Sequence, residues 1–75
     1  MKAYKNSEGS ILAVFKDDRN KYGVYIRKSE GDKFVRNMNV KYPSRATREE
    51  AEQDLRVTAK VRSYDDTWEL IDFKG

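Results

Sequence analysis

Residues 47–62 read TREEAEQDLRVTAKVR. Thr47 stands three positions before Glu50, the spacing of a capping box, in which side chains satisfy backbone N–H groups that a helix start leaves unpaired. At 100° per residue, Ala51, Leu55, Thr58, Ala59 and Arg62 share one side of the helix, with Val57 and Val61 extending its flank. Glu49, Gln53, Arg56 and Lys60 lie opposite. Acids load the first half and bases the second, as the helix dipole favours, and Glu52 and Arg56 form an i,i+4 pair. The apolar stripe is mostly Ala around one Leu, narrow enough for the helix to lie close against a sheet.

Both flanks of this helix read as strands and turns. Residues 10–16 contain Ile11, Leu12, Ala13, Val14 and Phe15, an unbroken apolar run that predicts a strand buried on both faces and central in its sheet. Asp17, Asp18, Arg19 and Asn20 form a turn cluster. Residues 22–28 predict a second strand, with Tyr22, Val24 and Ile26 pointing one way and Tyr25 and Arg27 the other. A turn in which Gly31 is free to take positive φ leads to a third strand over 33–41, where Arg36 interrupts the parity of Phe34, Met38 and Val40: either a bulge resets the pleat or the strand is short and its second half edge-like. Pro43 biases Tyr42 toward extended backbone and a linker. After the helix, residues 63–67 predict a turn and 68–73 a final strand. Residues 1–9 show no period and predict a loose arm or a short edge strand. The expected fold is one small α+β domain over residues 1–75. It is a three-stranded antiparallel meander packed against one amphipathic helix, with a C-terminal fourth strand, in the order β-β-β-α-β.

Composition narrows the chemistry. The chain of 75 residues has no Cys and no His, so disulfides, thiolate–zinc sites and imidazole acid–base chemistry are excluded. Asp17-Asp18 and Asp65-Asp66 lack the alternating oxygen spacing of a calcium loop, and turn formation accounts for them. The four glycines are scattered, and no nucleophile elbow or phosphate loop occurs. No catalytic residue, metal site or cofactor is therefore expected. The longest apolar run is too short to span a bilayer, and no signal-peptide pattern precedes it, so a soluble cytoplasmic protein without a membrane partner is expected.

Charge supplies the positive signal. The net charge of +3 divides into +6 over residues 1–45 and −3 over residues 46–75. A helix on one side of the sheet leaves the other open. By parity that open face would carry Tyr25 and Arg27, with Lys33, Val35, Asn37, Asn39 and Lys41 from the third strand. Cations for phosphates, an aromatic ring for stacking and amides for base edges predict a DNA- or RNA-binding surface formed by Tyr25, Arg27, Lys33, Asn37, Asn39 and Lys41. A sheet with one wet face must be polar in any case, so the same residues also fit plain solvation. The acidic C-terminal half offers an alternative, a protein-interaction or inhibitor module that binds a partner protein or self-associates.

Overall fold

A computed structural model describes residues 1–37, 43–64 and 66–74. The chain runs β1 (Lys2–Lys5), β2 (Ile11–Lys16), β3 (Tyr22–Arg27), β4 (Val35–Arg36), α1 (Arg48–Arg62) and β5 (Glu69–Asp72). Among the described residues these strands form one antiparallel sheet in the order β4-β3-β2-β1-β5. The small α+β fold with a single packed helix is as the sequence predicts. Of the unbroken apolar run Ile11 to Phe15, residues 11–14 are buried in the central strand and Phe15 is half-buried.

Three features differ from expectation. Residues 2–5 are neither a loose arm nor an edge but an inner strand: Ala3 pairs with Ala13 on one side and with Ile71 on the other. Four residues are too few to show a period, and the pairing of β1 between two strands is a long-range event. The C-terminal strand therefore lies at the far edge, beside β1 and away from the β2–β4 meander. In the third meander strand, expected over 33–41, the described residues 33–37 are strand only at Val35–Arg36, and 38–41 lie outside the described residues. The described backbone rejoins β3 at Arg45, whose N–H and C=O both bond to Tyr22.

Helix α1 begins as its sequence dictates. The Thr47 hydroxyl accepts from the Glu50 N–H at 3.3 Å and donates to the Glu50 carboxylate at 3.0 Å. At the other end, the Ser63 hydroxyl donates to the Ala59 carbonyl at 2.8 Å, satisfying one of the last carbonyls. Ala51, Leu55 and Ala59 pack on Leu12, Val14 and Val24, with Tyr4, Tyr22, Ile26 and Trp68 around them. Trp68 thus serves the core, although it precedes β5. Small residues on the helix let its axis approach the sheet, so two wholly buried large side chains, Leu12 and Val14, suffice at the centre.

The helix wheel needs two corrections. Val57 and Val61 are exposed rather than a buried flank, and Arg62 is exposed at the helix end. Asp54, a charged residue, is buried beside Leu55 instead. Its carboxylate accepts two bonds from the Arg45 guanidinium, Nε to Oδ2 at 2.7 Å and Nη2 to Oδ1 at 3.1 Å. The bidentate pairing neutralises the charge and occupies both oxygens, which makes burial tolerable. Asp54's hydrogen bond in turn holds the Arg45 guanidinium above its ordinary pKa.

Candidate nucleic-acid interface

The sheet face away from the helix is defined by register, because directly opposed residues of antiparallel strands point the same way. One row crosses all five strands: Arg36, Tyr25, Ala13, Ala3, Ile71. The next runs Arg27, Ile11, Lys5, Glu69. A third pairs Gly23 with Phe15. Ala13, Ala3 and Gly23 leave the middle of this face low, and aromatic side chains fill it.

Four rings form a continuous ribbon. Tyr25 meets Phe15 edge-to-face at 5.7 Å, Phe15 meets Phe34 at 4.8 Å, and Phe34 meets Phe73 at 5.7 Å. Electrostatics of the ring quadrupole favour such tilted contacts. Beneath them Ala3, Ile11 and Ala13 are buried, so the face has its own small core. The rings themselves remain half-buried, with part of their surface in water.

An arginine sits at each end of the ribbon. The Arg27 guanidinium lies 5.3 Å from the Phe34 centroid and 5.4 Å from that of Phe73. Its Nε is buried with no hydrogen-bond partner, and the two rings provide its attraction. Arg36 lies 6.0 Å from the Tyr25 centroid and donates from Nη1 to the carbonyls of Val24 and Asn37, both at 2.9 Å. Gly23 makes room for it: a β-carbon there would stand 2.5 Å from the Arg36 Nε.

The structure distributes the six residues expected at the site as follows. Tyr25 and Arg27 share the helix-free face. The parity of β4 is opposite to the one expected, since Val35 pairs with Ile26, which packs toward the helix. Lys33 is exposed beside Ile26, Lys28, Asp32 and Val35, in a shallow cleft on the Ile26 side of the sheet. Asn37 accepts from the helix residue Arg62, Nη2 to Oδ1, at 3.0 Å. Asn39 and Lys41 lie outside the described residues. Arg36 therefore does not interrupt a pattern; it belongs to the same face as Phe34 and Tyr25. Phe15, Phe34, Arg36 and Phe73 are the members that sequence reading passed over. The odd-numbered alternation Ile11, Ala13, Phe15 against the small Ala3 and Gly23 was the available signal, masked by the apolar residues between.

Elsewhere the polar side chains serve turns. Asp17 accepts from the N–H groups of Lys21 and Arg19, and these bonds, chiefly that from Lys21, hold its carboxyl below the ordinary value. The Ser7 hydroxyl donates to Asp66 at 2.9 Å. A cleft of about 440 Å³ borders that pair and is lined by Asn6, Glu8, Arg62 and Trp68. Among the described residues no group of three or more acidic side chains is placed to hold a metal ion. No described helix is long and apolar enough to cross a membrane.

The fold and this face together define a small α+β domain with one helix-covered and one aromatic, arginine-flanked sheet surface. No family model, curated protein or solved structure matches the chain.

Proposed function

We propose that this chain is a cytoplasmic, non-catalytic binding module that holds nucleic acid on the helix-free face of its sheet. The observation that carries the reading is the Tyr25–Phe15–Phe34–Phe73 ribbon flanked by Arg27 and Arg36. By register the face also carries Lys5 and Glu69, and Asp17, the residue after β2, lies near enough to Arg36 for the guanidinium to help the Lys21 N–H lower its pKa. Aromatic rings take base stacking, and guanidinium groups meet phosphate or stack in turn. Tyr25 and Arg27 are the sequence-derived members of this site, joined here by Phe15, Phe34 and Arg36. A salt titration tests the reading. Each phosphate contact releases counterions, so two or three contacts give a log–log slope of about −2. Micromolar affinity at low salt with such a slope is the expected result; no binding at low salt defeats it.

The alternative is self-association or a protein partner. Its support is the exposed pair Val57 and Val61, one helical turn apart and 43% and 66% accessible, with Leu70 on the outer strand at 57%. Light scattering across a concentration series separates the two, since a dimer that forms without nucleic acid and is lost in Val61→Lys favours this second reading.

A further inference from the structure

The nucleic-acid reading above leaves the form of the ligand open, and the geometry of the sheet bears on it. A strand ribbon reads duplex DNA by entering the major groove, which is about 12 Å wide. Strands lie about 4.8 Å apart, so a three-stranded meander measures about 10 Å between its outer strands and fits. The sheet here has five strands, about 19 Å between the outer two, because β1 and β5 extend the meander. Such a face is wider than the groove and cannot enter it whole.

Its surface chemistry points the same way. Groove reading relies on projecting side chains that pair with base edges, Asn and Gln among them. The two longest rows of the helix-free face contain neither, and Asn37 is bonded to Arg62. The centre of the face is low, at Ala3, Ala13 and Gly23, and is paved with rings. Rings bind bases through their flat faces, which are accessible only when the bases are unpaired.

We infer that the helix-free face binds a single-stranded polynucleotide, with bases stacked on Tyr25 and Phe15 and the phosphates met by Arg27, Arg36 and Lys5. This deepens the nucleic-acid reading and rests on it. The charge complementarity is a small excess of cations: Arg27, Arg36 and Lys5 stand on the rows against Glu69, and Asp17, just after β2, offsets part of the Arg36 charge. The rows offer one hydroxyl, that of Tyr25, so the site takes deoxyribose and ribose strands alike.

The test is fluorescence anisotropy with labelled dT15, rU15 and a 15-base-pair duplex, at low salt. Both single strands are expected to bind at least tenfold tighter than the duplex. Tyr25→Leu keeps apolar cover over Ala13 and is expected to weaken single-strand binding by about tenfold, the loss of one stacked base. Arg27→Gln should weaken it and flatten the salt dependence, and Lys33→Ala, on the other side of the sheet, should leave it unchanged. Circular dichroism establishes that each variant is folded. Equal or tighter binding of the duplex overturns the single-strand inference while sparing the nucleic-acid reading. Absence of binding by all three probes overturns both. Single-strand binding untouched by Tyr25→Leu and Arg27→Gln in folded proteins overturns the assignment to this face, and so does a dimer that buries it.

Discussion

Arg45 and Asp54 join the segment before the helix to the helix itself through two parallel hydrogen bonds of 2.7 and 3.1 Å. Arg45 also bonds through its backbone to Tyr22 at the end of β3. The pair thus ties three parts of the chain at one point. Asp54→Ala removes the partner of a part-buried guanidinium and is expected to lower the melting temperature by about 5 °C. Asp54→Asn keeps one acceptor but loses the charge, and should fall between the two. A thermal melt of the three proteins checks the order.

Leu55 and Val57 are two residues apart on one helix and are expected to behave oppositely. Leu55 is 2% accessible in the core between helix and sheet, whereas Val57 is 43% accessible. Leu55→Ala should cost about 2–5 kcal/mol, and Val57→Ala no more than about 0.5 kcal/mol. Urea denaturation measures both. Equal losses would show that the buried stripe lies elsewhere on the helix.

Gly23 is a spacer for Arg36. Gly23→Ala places a methyl group where the guanidinium now lies, 2.5 Å from Nε. The long side chain can move, and Ala is acceptable in a strand, so stability should change by no more than about 1 kcal/mol. The contact of Arg36 with Tyr25 should be lost. NMR of the Tyr25 ring protons reads this directly, and Arg36→Leu should produce a similar shift.

Asp17 makes acid stability testable at a single turn. Its carboxyl lies below the ordinary value of 3.8, chiefly through the bond from the Lys21 N–H. A depressed folded pKa stabilises the fold above the unfolded value and loses that contribution as pH falls through the folded one. Asp17→Asn should therefore be less stable than the parent at pH 7, and the gap should narrow as the pH falls below the ordinary value of 3.8 and close once it is under the lowered folded value. Melting temperatures between pH 2.5 and 7 follow this. A constant gap would assign the loss to geometry rather than charge.

Much of the scaffold was legible in local patterns. The Thr47–Glu50 spacing located the helix start, because capping is settled within one turn. The run from Ile11 to Phe15 located the central strand, because burial on both faces demands apolar residues at both parities. The site was legible in part. Tyr25 and Arg27 share their face because alternation along β3 requires it. Asn37 did not join them, since its neighbours place β4 in the register that pairs Val35 with Ile26.

The sequence by itself determined a small α+β domain, its capped helix, its central strand and the excess of cations in its first half. These follow from propensity, periodicity and charge, which act between residues a few positions apart. Tertiary structure alone decided that residues 2–5 lie inside the sheet, that Arg45 neutralises a buried Asp54, and that Phe15, Phe34 and Phe73 close over Ala3 and Ala13. Each of these joins residues distant in the chain or depends on a register that no single strand specifies. The width of the sheet belongs to that second group, because it depends on β1 and β5 pairing beside the meander.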